Sequence, residues 1–350
     1  MAEDGQERNG LMESFPFVPK VAGWELTRLC NMKCIHCGSS AGSPHRDELS
    51  LEEGLNLCDQ LAELGCEILT LSGGEPLLHP AWDHYAERLL KRGVKTYLIT
   101  NGFYLEENLK KLLSAGVRRI GVSLDGTQET HNFIRRNPDS FQRAMAGAQA
   151  ALKAGISVGT VTHVSKKNIE ELEEMYRVFV DAGLRFWQIQ ITFLSGRMLE
   201  NRALACEPEE MLRIAKFIEE KRREQKMKVV AGDNFGYFSK FDISDGEWKG
   251  CFAGRWLVGI DADGGVKGCL SLPRDFVEDN IRRRSLREIW EDRSLFKFNR
   301  YFNPDELGGF CANCDKKLAC RGGCSVTAYS ATGSVLNNPY CLYRLEHEIS

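Results

Sequence analysis

Three cysteines stand within eight residues, in Cys30-Asn-Met-Lys-Cys34-Ile-His-Cys37, directly after a stretch that reads as the first β-strand. Three soft thiolate ligands this close together suit a cubane iron-sulfur cluster, and they leave one iron without a protein ligand and open to a bound molecule. The competing readings are a zinc knuckle or plain buried thiols. Zinc closes a tetrahedron, and no fourth Cys or well-placed His lies nearby to do so. His36, between two of the cysteines, is either part of that site or a packing residue. A second concentration lies in the last hundred residues or so: Cys251, Cys269, then Cys311-x2-Cys314-x5-Cys320-x3-Cys324, and Cys341 after sixteen intervening residues. For CxxC pairs taken alone, zinc is a serious alternative. The remaining three, Cys58, Cys66 and Cys206, read as ordinary buried or surface thiols.

Other polar residues fall where strands should end. Ser72-Gly73-Gly74-Glu75-Pro76 places two glycines at a strand terminus, where backbone can approach a ligand closely, and Glu75 can accept from an ammonium group. Thr100-Asn101-Gly102 and Ser123-Leu124-Asp125-Gly126 offer short polar side chains that either bind a ligand or serve as turn and cap residues. Gln188 and Gln190 alternate with Ile189 and Ile191, so both glutamines face one way, toward a cleft or toward solvent. Arg135 and Arg143 are candidate carboxylate partners that a solvated helix face would explain equally well.

The elements that must position these residues repeat one unit from Ser50 to about Leu194: an amphipathic helix, a glycine just before a strand, and a strand rich in β-branched residues. The glycines are Gly65, Gly93, Gly116, Gly155 and Gly183, each where a helix ends and positive φ is needed. Strands are predicted at residues 24–29, 67–72, 95–100, 118–124, 157–164 and 185–193. Ser50 with Glu53, and Asn168 with Glu171, have capping-box spacing, and Pro208 suits the first turn of a helix near residues 209–223. Strands alternating with helices of this length imply a parallel α/β sheet, either a partial six-unit barrel or a doubly wound sheet, with the chemistry at the C-terminal ends of the strands. The rhythm stops near residues 228–236. Beyond it, 256–266 reads as a β-hairpin turning at Asp261-Ala-Asp-Gly-Gly265, in a region loop-rich enough to be held together by metal.

Composition bounds the rest. The chain has 350 residues, a formal net charge of -3 and 13 cysteines. Lys and Arg are scattered among Asp and Glu, which argues against a nucleic-acid partner. The first 14 residues lack the apolar core of a secretory signal and no segment runs apolar long enough to span a bilayer, so a cytoplasmic protein without membrane partners is expected. In that reducing compartment the cysteines are metal ligands before they are a disulfide framework.

The CxxxCxxC of Cys30, Cys34 and Cys37, followed one βα unit later by the GGEP motif, resembles the radical S-adenosylmethionine (radical SAM) superfamily. The resemblance implies a partial (β/α)6 TIM-type barrel and a 4Fe-4S cluster on the three cysteines. It also implies S-adenosylmethionine bound through its amino and carboxylate groups to the fourth iron and cleaved to a 5'-deoxyadenosyl radical. It assigns His36, Gly73, Gly74, Glu75, Pro76, Thr100, Asn101, Ser123 and Asp125 to the cofactor, and Gln190, taken as facing the cleft from its alternation along the sixth strand, is expected to join them. The seven C-terminal cysteines resemble the SPASM extension, including the glycine five residues before the second cysteine, Gly264. That extension implies two auxiliary 4Fe-4S clusters, one on Cys251, Cys269 and Cys324, the other on Cys311, Cys314, Cys320 and Cys341. The expected division is a polar tail at 1–20, a barrel at 21–232 and a SPASM domain at 233–350.

Members of that group mostly modify ribosomally made peptides. A peptide substrate is therefore expected, served by an external electron donor such as flavodoxin or ferredoxin. With about twenty residues before the first strand, either a separate leader-binding protein or a short substrate is expected as well. The alternatives are a small molecule such as a haem precursor, or a non-enzymatic electron carrier or zinc-held interaction module. Sulfatase-maturing relatives place an aspartate directly after the second SPASM cysteine; here Leu270 stands there, which argues against that activity and leaves the general base unnamed.

Overall fold

The computed structural model describes residues 17–235, 238–246 and 248–348. Most of the polar tail expected at 1–20 lies outside the described residues. The strands β1 (Val21–Glu25), β2 (Ile68–Ser72), β3 (Lys95–Thr100), β4 (Arg119–Ser123), β5 (Ser157–Val164), β6 (Phe186–Ile191) and β7 (Lys228–Ala231) lie side by side in chain order, every neighbour parallel. Between them run α1 (Leu51–Glu63), α2 (Trp82–Lys91), α3 (Leu105–Ser114), α4 (Gln128–Arg135), α5 (Ser140–Lys153), α6 (Leu172–Asp181) and α7 (Glu210–Glu224). This is the partial (β/α)6 barrel of the expectation, with one further parallel strand, β7, that the sequence reading had not separated from the region beyond.

The predicted hairpin is present as β8 (Leu257–Ile260) and β9 (Gly265–Lys267), antiparallel and followed by β10 (Asp279–Asn280). It does not stand apart from the barrel. β8 pairs in parallel with β1, Val21 opposite Leu257 and Trp24 opposite Ile260, so one ten-stranded sheet runs β10-β9-β8-β1-β2-β3-β4-β5-β6-β7. The cysteine-rich region is thereby bolted to the strand that leads into Cys30.

All five helix-terminal glycines have φ between 75° and 86°, a region that L side chains seldom adopt. Ser50 and Glu53 form the predicted capping box, each side chain bonded to the other's backbone N–H. Asn168 and Glu171 do not. Asn168 caps no helix with its side chain; its amide instead donates to the carbonyls of Asp125 (2.9 Å) and His163 (3.0 Å), while Glu171 accepts from Thr127 and Thr130. Their spacing was right and their partners wrong, because carbonyl acceptors at the ends of β4 and β5 and the donors of Thr127 and Thr130 outcompete the local cap. The first strand also ends earlier than predicted, at Glu25 rather than at 29. Beyond it the chain stays tied to the β2 loop, Leu26 N–H to Ser72 O (3.0 Å), Gly74 N–H to Thr27 O (2.7 Å) and Glu75 N–H to Leu29 O (2.9 Å), but the turn at Gly73 breaks the ladder.

The core is continuous through these layers. Trp24, Trp82, Tyr85 and Trp187 are fully buried, and α1 seats on α2 at Gly54, where a Cβ would stand 2.5 Å from the Tyr85 ring. No helix among the described residues is long and apolar enough to cross a membrane.

Candidate active site

The cysteine loop between β1 and α1 has almost no regular structure, so its backbone carbonyls need outside donors. Arg197, in the segment after β6, supplies most of them: its backbone N–H bonds Cys37 O (3.0 Å), Nε bonds Cys34 O (2.8 Å) and Nη1 bonds Ala41 O (2.7 Å). Gly196 makes the approach possible, since a Cβ there would lie 2.4 Å from the carbonyl oxygens of Cys37 and Gly38. On the opposite side the loop leans on the GGEP turn. A Cβ on Gly73 would meet Thr27 O at 2.5 Å, and one on Gly74 would meet Leu29 O at 2.4 Å. These two glycines serve close packing of backbone against backbone and also line the cavity beside the cysteines.

That cavity has a volume of about 430 Å³. Cys30, Cys34, Cys37 and His36 line it, with Gly73, Gly74, Thr100, Asn101 and Ser123 from the strand ends. Amide and guanidinium hydrogens approach the sulfurs, Asn101 Nδ2 at 4.0 Å from Cys30 Sγ and Arg135 Nη1 at 3.8 Å from Cys34 Sγ. Burial pushes the Cys30 thiol up to about 11, and Cys34 is raised by burial against the pull of Arg135. Among the described residues no three or more His, Cys, Asp or Glu are disposed to hold a single metal ion. The donor set is three neighbouring thiols facing open space, which fits a cubane whose ligands stand on separate irons and whose fourth iron is free.

Two carboxylates that the sequence reading assigned to the cofactor sit behind the cavity wall. Glu75 is fully buried and takes three internal donors: Thr100 Oγ1 at 2.7 Å, Asn101 N–H at 2.8 Å and Leu77 N–H at 3.2 Å. Burial still pushes it up to about 7. Pro76 opens the short 3-10 turn that Glu75 caps. Asp125, also fully buried, accepts from His36 Nε2 (3.0 Å), from the Arg135 guanidinium and from His163 N–H (2.9 Å). Burial alone would raise its carboxyl, but Arg135 and then His36 hold it well below the usual range. Asp125 therefore fixes His36 and Arg135 against the cysteine loop rather than facing the open space. Of the two arginines left open by the sequence, Arg135 is in the site, while Arg143 is a surface residue paired with Glu107. Gln190 is not among the residues lining the cavity; its side chain lies against Gly232.

The far wall comes from the C-terminal region, from Asp261 and Lys267 of the hairpin and from residues 270–274. Lys267 Nζ is buried between Asp261 Oδ1 (2.7 Å) and Leu272 O (2.7 Å). Glu25, at the end of β1, faces the same space, and burial followed by the Asp261 charge pushes it up to about 7, against the pull of Lys267 and Arg28. Leu270 occupies the position after Cys269 and carries no proton acceptor. Sequence reasoning missed Glu25, Asp261, Lys267, His163 and Arg197. The only signal was charge placed at strand ends, too common to single them out.

The structure sorts the seven C-terminal cysteines into two groups. Cys269 is raised to about 12, by burial and then by Cys324 and Cys251, and Cys324 to about 11, by burial and then by Cys251. Cys320 is raised by burial and then by Cys341, Cys311 and Cys314, and Cys341 reaches about 11 by burial with Cys311 and Cys314 adding to it. No thiol of one group acts on the other in these four cases. None of the 13 cysteines forms a disulfide. Cys58, Cys66 and Cys206 are buried, each raised to about 12 by burial.

Comparison with known proteins follows this geometry. The radical SAM superfamily model matches residues 24–179, and the SPASM model, an iron-sulfur cluster-binding domain, matches 251–315. The chain is 35% identical over 345 residues to the AdoMet-dependent heme synthase of Methanosarcina barkeri, covering 93% of this chain and 97% of that one. It is 28% identical over 328 residues to the mycofactocin maturase of Mycobacterium tuberculosis, covering 90% and 80%. The solved structure of anSMEcpe with bound AdoMet and a peptide shares the fold, with a TM-score of 0.72 at 19% identity over 94% of this chain and 95% of that one. The first match encloses Cys30, Cys34 and Cys37 and the second encloses Cys251, Cys269, Cys311 and Cys314; with the 35% identity over nearly the whole relative, the chain belongs to the radical SAM superfamily and carries a SPASM domain.

Proposed function

We propose that this radical SAM enzyme abstracts hydrogen from a ribosomally made peptide and completes a net oxidation of it, such as a crosslink. The observation that carries the reading is the shared cavity: the loop of Cys30, Cys34 and Cys37 forms one wall, and the segment directly after Cys269 forms another. The three cysteines would hold the cluster that binds S-adenosylmethionine, and together these supply a 5'-deoxyadenosyl radical able to attack unactivated carbon. Around them the chain's own residues position and exclude water. Gly73 and Gly74 leave room for the methionine portion; Thr100, Asn101 and Ser123 offer polar atoms to it and to the ribose; His36 is held by Asp125. Cys251, Cys269 and Cys324, and separately Cys311, Cys314, Cys320 and Cys341, would hold two auxiliary clusters, placed to take the electron that a net oxidation releases. The division at 21–232 and 233–350, a cytoplasmic location, an external electron donor and a separate leader-binding protein belong to the same proposal.

Charges of both signs line the cavity, Asp261, Lys267 and Arg274 on the far wall and Glu25 and Arg28 on the barrel side, and main-chain amides and mixed side chains can pair with both. A second reading, a haem precursor, is favoured by the 35% identity to the heme synthase. One experiment separates them. Anaerobically reconstituted protein is given dithionite and S-adenosylmethionine, with either the small peptides encoded beside the gene or iron coproporphyrin III. A peptide that loses mass as 5'-deoxyadenosine forms supports the first reading. Conversion of the porphyrin alone replaces it with the second.

A further inference from the structure

Two guanidinium groups meet beside Cys251 with no carboxylate among the described residues to neutralise them. Arg255 lies in the turn that leads into β8, and Arg321 directly follows Cys320. Among the described residues neither is within ion-pair distance of an Asp or Glu; each rests on an aromatic face, Arg255 4.3 Å from the Trp256 ring centroid and Arg321 4.9 Å from that of Phe302. Carbonyl oxygens supply the remaining contacts: Arg255 Nη1 reaches those of Lys249 (3.3 Å) and Cys251 (3.5 Å), and Arg321 Nη2 that of Asn299 (2.5 Å). Both Nε atoms are buried without a partner. The backbone is opened to admit the pair. A Cβ on Gly250, whose φ is 80°, would stand 2.8 Å from Arg321 Cδ and 3.4 Å from Arg255 Nη1, and Arg321 itself holds φ at 58°.

Bringing two like charges together in a half-buried place costs free energy unless an anion compensates them. Near the second cysteine group, Lys316 pairs with Asp315 (2.9 Å) and Arg344 with Glu348 (2.8 Å), while Lys317 Nζ bonds the Ala312 carbonyl (3.1 Å).

We propose that Arg255 and Arg321 are positioning residues that form a cationic seat for the group of Cys251, Cys269 and Cys324, and make its cluster easier to reduce than it would be without them. The inference rests on the proposed function, since it takes both cysteine groups to hold clusters. Adding one electron to an iron-sulfur cluster makes it more negative by one charge, and fixed positive charge nearby in a low dielectric favours that state. The cluster next to the cavity wall is then better able to accept the electron left on the substrate.

The test is a redox titration of the anaerobically reconstituted full chain, followed by electron paramagnetic resonance, with the signal of this cluster assigned by its loss in Cys269→Ala. In R255Q and R321Q its reduction equilibrium is expected to fall about tenfold, or about 59 mV for one electron. The other clusters should stay in place, and R255K and R321K should restore the wild-type potential. An unchanged potential in the Gln variants, or an equal shift of all clusters, overturns the proposal while leaving the functional reading intact. If the Gln variants take up no iron at this site but the Lys variants do, charge is the requirement and the proposal stands; if both fail, shape decides and it falls. Wild-type protein that takes up no iron at the C-terminal cysteines contradicts the functional reading itself, and the proposal with it.

Discussion

The barrel and the cysteine-rich region hold their functional groups by different means. In the barrel, the residues around Cys30, Cys34 and Cys37 are fixed by regular elements and a buried polar knot: Asp125 grips His36 and Arg135, and Glu75 braces Thr100 and Asn101. In the cysteine-rich region the helices that hold Cys311 and Cys320 are four residues each, and the apolar cluster around Cys251 has four buried members, Cys251, Ala253, Leu272 and Val326, while Val258, Ile260, Trp290, Phe296 and Leu342 join the barrel's core. The loop between Cys311 and Cys341 adds little to either core, so burial alone orders it less well. On the proposed function, the barrel's site is organised before any metal arrives, whereas the C-terminal sites would draw order from the clusters they hold.

The largest expected effect breaks the comparison at its weaker end. Hydrogen exchange of metal-free and reconstituted protein should differ by orders of magnitude for amides in 311–341 and hardly at all for those of β2 to β5. Equal protection of the C-terminal region in both forms would show that its order does not come from metal. At the stronger end, Asp125→Ala leaves the Arg135 guanidinium buried and unpaired, and should cost the metal-free protein about 3–5 kcal/mol in denaturant unfolding. A loss under about 1 kcal/mol would mean that the knot is decoration.

The far wall gives a pH-dependent effect. Glu25 has its carboxyl raised from 4.5 to about 7 in the folded protein. Below the lower value both folded and unfolded states are protonated; between the two, the unfolded chain ionises and the buried group does not. Stability should therefore fall as pH rises through that window, by up to about 3 kcal/mol. Glu25→Gln should flatten this slope, and the same slope in wild type and variant would remove Glu25 as its source. The smallest effect serves as a barrel control: Ser50→Ala removes a helix cap and should cost about 1 kcal/mol, with no change in iron uptake.

What the sequence disclosed was what neighbours in the chain decide. The five helix-ending glycines, the Ser50 and Glu53 cap, the strand ends bearing Ser72, Thr100 and Ser123, and the hairpin at Asp261–Gly265 are all local signals, and the structure bears them out. What stayed hidden depends on residues far apart in sequence. Arg197 clamps a loop about 160 residues earlier; Asn168 abandons its cap for the carbonyls of Asp125 and His163; and β8 crosses back to pair with β1. Glu25, Asp261 and Lys267 each look like routine surface charges until the fold gathers them around one cavity. Arg255 and Arg321 stand out only because no carboxylate among the described residues pairs with them.

The central claim is that Cys30, Cys34 and Cys37 hold the cluster that cleaves S-adenosylmethionine while the seven later cysteines hold two more. The most direct test is anaerobic: reconstitute with iron and sulfide, count iron, then add dithionite and S-adenosylmethionine and assay 5'-deoxyadenosine, comparing wild type with the triple variant Cys30→Ala, Cys34→Ala, Cys37→Ala. The account predicts about twelve irons per chain, falling by about four in the triple variant with loss of 5'-deoxyadenosine. Zinc in place of iron, or a triple variant that still cleaves S-adenosylmethionine, would contradict it.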